Sequence, residues 1–317
     1  MSAPPRRARV RALAKINLDL RVLGCRPDGY HELRTVFQTV SLADTLEIAY
    51  APARRTAIEL EDPLALPENL VARAAHAAMD AMRATGRVHI RLVKRIPMGA
   101  GLGGGSSDAA AVLLALPALA GRRLELARLC EIAADLGSDV PFFLLGGAAV
   151  GIGRGTELFP LPDGAPRGGV LVAPRVAVST AEAYRRLSPR LTIELQQNKM
   201  FSFQSQVWDG GVGTASVNDF EDVVFEQYPV LARWKKRLIR AGALTAMMTG
   251  SGSALFGLFR TAGEVSTALA ELGEYAEDER TYRISLVGRA RYRALWWRAL
   301  EEHITGKVWP PRSRYAQ

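Results

Sequence analysis

The chain has 317 residues, of which 48% are hydrophobic and 23% are charged, a composition typical of globular enzymes. No apolar run approaches the roughly 20 residues that a membrane-spanning helix needs, and no segment has the pattern of a signal peptide. The two cysteines, Cys25 and Cys130, are too few for a disulfide framework or a cysteine-based metal cluster. We therefore expect a cytoplasmic protein with no membrane contact.

The net charge of +9 is carried by the two ends of the chain. Residues 1–11 hold four arginines and no acid, residues 281–317 hold eight basic residues and two acids, and 12–280 is left with a net charge of −1. Near the C-terminus, apolar residues recur at helical spacing, at Tyr292, Leu295, Trp296, Ala299 and Leu300. A basic tail of this kind contacts RNA or a membrane, or docks on its own protein. The apolar face favours docking, and we expect no nucleic-acid partner.

Hydrophobic periodicity predicts the elements of the first half of the chain. In chain order they are a strand or hairpin over 8–23, a turn over 26–29, a strand over 36–50, a helix from Pro67 to about Thr85, a strand over 87–93, a helix opening at Ala109, a helix over 124–136 and a strand over 146–153.

A linker rich in proline and glycine at 161–167 precedes the second half. There the pattern predicts a strand over 169–173, a helix over 180–187, an irregular polar segment over 190–215, helices over 217–241, strands over 244–249 and 254–259, a helix over 263–272 and a strand over 282–287. Strands and helices in no regular alternation predict an α+β fold. We expect two domains, 1–163 and 164–287, each mixing a β-sheet with packed helices, and a basic amphipathic tail at 288–317.

The most informative segment is a glycine-rich loop between the strand at 87–93 and the following helix. Residues 97–110 read P-M-G-A-G-L-G-G-G-S-S-D-A-A, with five glycines within seven positions. Glycine tolerates a positive φ and keeps no side chain between the backbone and a ligand. Inward-pointing amides and the N-terminus of the next helix favour phosphate oxygens. The sequence therefore predicts a phosphate-binding loop.

Three other interpretations of this loop are weaker. The spacing Gly99-x-Gly101-x-x-Gly104 fits the dinucleotide-binding pattern, but Lys94, Arg95 and Pro97 separate it from the preceding strand, and no acid follows on a second strand. The Walker pattern is absent because no Gly-Lys-Ser/Thr closes the loop. An ordinary glycine-rich turn is the remaining alternative.

Phosphoryl transfer also needs cations and a group that orients the acceptor, and three further segments are suited to this. Lys15 and Asn17 alternate with apolar residues, so a strand places them on one face. Asp139 lies beside apolar residues that influence its charge state. Gly250-Ser251-Gly252-Ser253 forms a second small-residue loop. Taken singly, these are also consistent with a surface lysine, a turn aspartate and a plain hairpin turn.

In combination, these segments resemble the superfamily of galactokinase, homoserine kinase, mevalonate kinase and phosphomevalonate kinase (GHMP kinases). The resemblance covers nearly the whole chain in order. Within the superfamily it is greatest to kinases of 4-diphosphocytidyl-2-C-methyl-D-erythritol, which belong to the non-mevalonate isoprenoid pathway. The residues that carry it lie at 14–18, 24–31, 101–107 and 137–143, of which the block Asp28-Gly29-Tyr30-His31 is the most specific.

The resemblance implies a two-domain GHMP kinase fold, ATP and Mg²⁺ as cofactors, and roles for particular residues. Lys15 and Asp139 would be the catalytic pair, and Ser107 would be a magnesium ligand. The ATP site would consist of Asn69, Lys94, Pro97, Met98, Gly99, Ala100, Gly101, Leu102, Gly103, Gly104, Gly105, Ser106 and Ser107. The substrate site would consist of Asn17, Tyr30, His31, Thr180, Tyr184, Gly250 and Ser251. In it, Tyr30 and Tyr184 would stack on the cytosine, and His31 would bind its edge.

The expected function is therefore ATP-dependent phosphorylation of the 2-hydroxyl of this cytidine diphosphate methylerythritol, by a monomer or homodimer. Another small-molecule kinase of the superfamily is the nearest alternative. A non-catalytic nucleotide- or RNA-binding protein that uses its basic ends is an alternative of a different class.

Overall fold

A long hairpin of two strands, β1 (Arg6–Cys25) and β2 (His31–Pro52), organises the first half of the chain. The structure is a computed structural model that describes residues 4–62, 69–191, 193–208, 216–275 and 279–316. Beyond the hairpin, the first sheet contains β3 (Ala57–Glu61), β4 (Gly86–Val93), β5 (Ala148–Gly153) and β6 (Glu157–Pro160). Strand β2 pairs with β1 along one edge, and with β4 and β5 along the other. Only β3 and β4 run parallel among these pairs.

Four helices pack on this sheet and build the first apolar core. They are α1 (Leu70–Ala81), α2 (Gly104–Ala120), α3 (Leu126–Leu136) and α4 (Val140–Leu145). Helix α2 is buried almost all round from Ser107 to Leu119, because its sides contact the hairpin and the other helices. The predicted phosphate-binding loop therefore leads directly into α2, the most buried helix of this half.

The second sheet is antiparallel, with strand order β10-β7-β9-β8. Its strands are β7 (Gly168–Ala173), β8 (Thr245–Met248), β9 (Leu255–Phe259) and β10 (Arg280–Ser285). The helices of this half are α5 (Thr180–Leu187), α6 (Ile193–Trp208), α7 (Phe220–Gln227), α8 (Pro229–Arg240) and α9 (Ala262–Gly273), and a short 3₁₀ turn, Ser188–Arg190, follows α5.

The two sheets meet through a shared apolar cluster. Ile16 and Leu18 of β1 belong to it, together with Phe256 and Leu258 of β9. Burial of large apolar side chains is the main force that holds such layers together. Strand β1 is therefore covered on both faces in its middle, where the sequence has its lysine and asparagine.

The last helix, α10 (Arg289–Ala299), packs on the first core rather than on the second. Tyr292, Trp296 and Leu300 are buried there, as the helical spacing of the tail predicts. The domain limits near 163 and 287 remain a prediction, which the separate apolar cores of the two halves support. Within the described ranges, no helix is long and apolar enough to cross a bilayer.

The α+β class is confirmed, and two local predictions are wrong. Helix α2 begins at Gly104 rather than at Ala109, because Gly103 adopts a left-handed conformation and caps the helix. The polar segment over 190–215 is not irregular from 193 to 208, where α6 lies. Phe203 anchors that helix in the cluster between the sheets. Positions 192 and 209–215 of that prediction, and the start of the helix predicted from Pro67, lie outside the described residues.

Helix α6 offers a matched test of its packing. Phe203 is 5% exposed and Phe201, on the same helix, is 62% exposed. We expect Phe203→Ala to lower the free energy of unfolding by about 3 kcal/mol, because it leaves a cavity between the sheets. Phe201→Ala should change it by less than about 0.5 kcal/mol. Urea titration of both variants measures the difference, and equal effects would mean that α6 does not pack as described.

Candidate active site

The glycine-rich loop joins β4 to α2 with three glycines in conformations that other residues rarely adopt. Gly99, Gly101 and Gly103 have φ angles of 63°, 75° and 67°. In the first intrahelical hydrogen bond of α2, the Ser107 amide donates to the Gly103 carbonyl at 2.8 Å. The preceding amides of the first turn have no partner within the helix. The loop therefore presents backbone N–H groups and the positive end of a 17-residue helix, which is the environment that phosphate oxygens prefer.

A second small-residue loop, between β8 and β9, lies directly against the first. A Cβ atom built on Gly101 would lie 2.1 Å from the carbonyl oxygen of Thr249, and one built on Gly250 would lie 3.1 Å from the Gly101 Cα. The amide of Ala254 also donates to the carbonyl of Ala100 at 3.3 Å. Only glycine allows this approach. The contact joins the two halves of the molecule at the mouth of the phosphate-binding loop.

Asn17 of β1 binds both the second loop and the lysine two residues before it. Its side-chain oxygen accepts from the Lys15 ammonium at 2.8 Å, from the Gly250 amide at 3.0 Å and from the Thr249 hydroxyl at 3.2 Å. Its side-chain nitrogen donates to the Thr35 hydroxyl at 2.8 Å. A buried amide with all its polar atoms paired is a rigid element. Asn17 therefore holds Lys15 in a fixed position relative to both loops.

Lys15 and Asp139, the predicted catalytic pair, are brought together by this arrangement. Lys15 Nζ lies 3.5 Å from Asp139 Oδ2, and their side chains are 4% and 33% exposed. The ammonium also lies 5.4 Å from the centroid of the Phe37 ring. Asp139 occupies the N-cap position of α4 without a capping hydrogen bond from its side chain, and its carboxylate is partly exposed while the lysine is enclosed. The pair offers one accessible carboxylate, held beside a buried cation.

Two cavities meet at the glycine-rich loop. The larger, of about 800 Å³, is lined by the predicted catalytic pair and by every predicted substrate residue. The smaller, of about 410 Å³, contains Asn69, Lys94 and the loop from Pro97 to Ser106. The residues that line both cavities are Gly99, Gly101, Gly103 and Ser106. A ligand in the smaller cavity can therefore present its phosphates to the larger one across the loop.

The far end of the larger cavity is aromatic. Tyr30 is 50% exposed, and the guanidinium of Arg154 lies 4.2 Å from its ring centroid. The His31 ring stacks on Tyr184 with centroids 4.2 Å apart, so Tyr184 faces His31 rather than an open slot. Burial lowers the pKa of His31 below its ordinary value, which keeps the imidazole neutral at pH 7. Burial, and secondarily the Asp139 charge, raises the pKa of Tyr184.

Hydrogen bonds around His31 assign its tautomer. Ser188 donates its hydroxyl proton to the Tyr184 carbonyl at 2.8 Å. The Ser188 oxygen, 2.8 Å from His31 Nε2, is therefore left to accept from that nitrogen. This leaves His31 Nδ1 as a hydrogen-bond acceptor. An acceptor of this kind pairs with an exocyclic amino group such as that of cytosine.

Lys94 and Asn69 lie at the smaller cavity, but both are engaged in ion pairs or hydrogen bonds of their own. The Lys94 ammonium bridges the buried carboxylates of Asp44 and Asp108. Asp44 also accepts from two backbone amides at the entry to the loop. Asn69 donates to Asp62 at 2.8 Å and caps α1. Lys94 thus ties the start of the loop to the first turns of α2, which fixes the loop from both ends.

The comparisons with known proteins agree with this geometry. The N-terminal domain of GHMP kinases matches residues 69–147, and the C-terminal domain matches residues 198–278. A 4-diphosphocytidyl-2-C-methyl-D-erythritol kinase from Solibacter usitatus is 67% identical over 98% of this chain and 98% of its own. The chain belongs to the GHMP kinases, in the family of 4-diphosphocytidyl-2-C-methyl-D-erythritol kinases.

Two further relatives of this GHMP kinase family support the assignment. The enzyme of the same name from Pelotomaculum thermopropionicum is 45% identical over 78% of this chain and 87% of its own. A crystal structure of a 4-(cytidine 5′-diphospho)-2C-methyl-D-erythritol kinase superposes with a TM-score of 0.74 at 38% identity, and covers 88% of this chain and 99% of its own.

A GHMP kinase uses ATP, which implies a magnesium ion, and the loop offers a limited set of ligands for it. Among the described residues, no group of three His, Cys, Asp or Glu side chains is placed to hold a metal. Magnesium needs only one or two protein ligands when phosphates and waters complete its shell. One Asp108 oxygen is buried with no partner in the described part of the chain, and both Asp108 and Ser106 line the smaller cavity. These two residues fit such an ion.

Ser107, the predicted magnesium ligand, is placed differently. Its hydroxyl donates to the Leu13 carbonyl at 2.7 Å, and the residue lines neither cavity. Successive residues of a helix point about 100° apart, so starting α2 at Gly104 turns Ser107 toward the core and leaves Ser106 facing the cavities. In the structure Ser106, and not Ser107, faces the cavities, so Ser106 replaces Ser107 as our predicted ligand.

Sequence reasoning missed two residues of the site. Arg154 lies between Gly153 and Gly155, both with positive φ, and its Nε is buried with no partner among the described residues. A single cation between two glycines in an apolar stretch is a signal that could have identified it. Asn218 donates to the carbonyls of Met248 and Gly250 at 2.8 Å and holds the second loop. No local pattern singles it out, because its partners lie about 30 residues away.

The close approach of the two loops can be tested by a matched glycine pair. Gly99 and Gly101 both have positive φ, but a Cβ on Gly99 meets nothing within 4 Å, whereas one on Gly101 collides with the Thr249 carbonyl. We expect Gly99→Ala to cost about 1 kcal/mol of unfolding free energy, from backbone strain alone. Gly101→Ala should cost more than about 3 kcal/mol, because the loops must separate. Equal losses in urea titration would contradict the contact.

Proposed function

We propose that this chain transfers the γ-phosphate of ATP to the 2-hydroxyl of 4-diphosphocytidyl-2-C-methyl-D-erythritol, a step of the non-mevalonate isoprenoid pathway. The observation that carries the proposal is the set of four residues shared by the two cavities, Gly99, Gly101, Gly103 and Ser106. Because these residues line both cavities, a nucleotide bound in the smaller cavity would point its terminal phosphate toward Lys15 and Asp139 in the larger one. The names of the relatives support the choice of substrate.

ATP would lie with its adenine near Asn69 and Lys94 and its phosphates against the loop. The unpaired amides of the loop and of the first turn of α2 would bind the phosphate oxygens. When bound, magnesium would neutralise phosphate charge, held on the protein side by Ser106 and Asp108. Lys94 is paired with two carboxylates, so it contributes to ATP binding mainly by fixing the loop.

The proposed phosphoryl transfer uses Lys15 and Asp139 directly. The acceptor hydroxyl oxygen attacks the γ-phosphorus, the bond from that phosphorus to the β,γ-bridging oxygen breaks, and ADP leaves with the electron pair. The hydroxyl proton passes to the accessible Asp139 carboxylate. Lys15 Nζ, 3.5 Å from the Asp139 carboxylate, would orient it and balance the charge that develops on the transferring group.

The cytidine end of the substrate would occupy the aromatic end of the larger cavity. Tyr30 offers an exposed ring for stacking, and His31 Nδ1 accepts from the cytosine amino group. Arg154, with a donor nitrogen unpaired in the described chain, is suited to the diphosphate. Asn17 and the loop at Gly250 and Ser251 would hold the methylerythritol end near Asp139.

The proposed function also includes a cellular compartment and an oligomeric state. Cys25 and Cys130 are free and exposed, which supports a reducing cytoplasm. A monomer or homodimer remains our prediction for the oligomeric state, and size-exclusion chromatography with light scattering measures it.

The decisive measurement is ADP release with the cytidyl substrate, compared with mevalonate and homoserine. We expect turnover with the cytidyl substrate only, and a loss of about 10²- to 10⁴-fold in kcat for Asp139→Asn, because the proton acceptor is removed while ATP binding persists. The control is Asp135→Asn, an exposed aspartate on α3, which should leave kcat unchanged. Turnover with mevalonate or homoserine instead would assign a different kinase of the superfamily.

A second prediction concerns the base. Tyr30→Ala should raise KM for the cytidyl substrate by about tenfold and leave KM for ATP unchanged, because one stacked base contributes roughly 1–3 kcal/mol. Tyr275 provides the control, since it is also 50% exposed and lies beneath an arginine, Arg237, at 4.5 Å from its ring centroid. Tyr275→Ala should leave both constants unchanged. An unchanged KM in Tyr30→Ala would exclude stacking on this ring.

A further inference from the structure

The basic C-terminal tail, residues 288–317, contacts the short helix that begins after Asp139. Helix α4 has only six residues, Val140–Leu145. A helix of this length has no stability of its own and depends on its surroundings. Its end carries buried carbonyls that need donors from elsewhere.

The tail provides two of those donors. At the end of the helix itself, the Gly146 amide donates to the Phe142 carbonyl at 2.9 Å. The next carbonyl, of Phe143, accepts from the Tyr292 hydroxyl, and that of Leu144 accepts from the Trp309 indole nitrogen at 3.0 Å. Phe143 and Leu144 are buried, so water is not an alternative partner for these carbonyls. The tail therefore supplies donors to two buried carbonyls at the end of α4.

The fit between tail and helix end is close. A Cβ on Gly146 would lie 2.2 Å from the Tyr292 ring, and a Cβ on Gly147 would lie 2.7 Å from the Arg289 backbone. Asp163 accepts from the amides of Arg289 and Ala290, which fixes the start of α10. The tail is thus held at a defined distance from α4 by contacts that tolerate no added side chain.

Helix α4 in turn contacts the catalytic machinery on its other side. Asp139 is its N-cap. A Cβ on Gly103 would lie 2.9 Å from the Phe143 ring, so this ring packs on the glycine-rich loop. Phe142 lies 5.0 Å from Phe37, the ring beside the Lys15 ammonium. Displacement of α4 along its axis would therefore change the distance between Lys15 and Asp139.

We propose that the tail positions Asp139, with Tyr292 and Trp309 as positioning residues that act through the last carbonyls of α4. The role of Asp139 rests on the proposed function, whereas the dependence of α4 on the tail does not. The tail is then an internal support for the active site, on the side of α4 away from the substrate cavity.

The test uses the full chain and the conservative variant Tyr292→Phe, which removes one hydroxyl and keeps the ring. We expect at least a fivefold faster amide hydrogen exchange over residues 140–147 and at least a fivefold lower kcat, with KM for ATP within twofold of the original value. Adding Trp309→Phe should enlarge both effects. Tyr315→Phe is the matched control, because the Tyr315 hydroxyl donates to Glu302 within the tail. It should change neither measurement.

The outcomes separate this inference from the proposed function. If the unaltered chain transfers no phosphate, the proposed function fails, and hydrogen exchange alone decides whether the tail supports α4. Unchanged exchange over 140–147 in both variants overturns the inference. Faster exchange with an unchanged kcat, or a rise in KM for ATP that matches the fall in kcat, overturns the positioning of Asp139.

Discussion

The structure depends on the contact between two glycine loops that come from different halves of the chain. Gly101 of the first loop lies against Thr249 and Gly250 of the second, at a distance that excludes any side chain. Asn17 closes the arrangement, since its side-chain oxygen accepts from Gly250, Thr249 and Lys15. The phosphate-binding loop, the buried cation and the second sheet therefore have fixed positions relative to one another. A phosphate-transfer site needs this rigidity, because its catalysis is mainly positioning and electrostatics.

Charge is distributed around this contact in two ways. Lys15 is enclosed and paired with the more accessible Asp139 at the wall of the larger cavity. Behind the loop, Lys94 lies between two buried carboxylates, and burial raises the pKa of Asp108 to about 7. Lys15 and Asp139 are therefore the pair that we propose for catalysis. Lys94, with Asp44 and Asp108, holds the backbone of the glycine-rich loop in place.

The tail lies outside the motifs that the sequence singles out, yet it contacts α4, the helix that follows Asp139. Its basic residues contribute to the positive net charge of the chain, whereas its apolar residues, aromatic ones among them, pack in the first core. Tyr292 and Trp309 donate to two carbonyls at the end of this helix. Short helices depend on their neighbours, and here the neighbouring donors, Tyr292 and Trp309, lie 149 and 165 residues from their partners in the sequence.

The sequence by itself determined the α+β class, most of the elements and the chemistry of the loop, because periodicity and glycine content act locally. It also pointed to Lys15, Asp139 and the Tyr30-His31 pair through their motifs. Only the tertiary structure decided that Ser106 and not Ser107 faces the cavities, since this follows from where α2 begins. The roles of Asn218, of Arg154 and of the tail also required coordinates. Their partners are distant in sequence, and such contacts leave no local pattern because they form only when the chain folds.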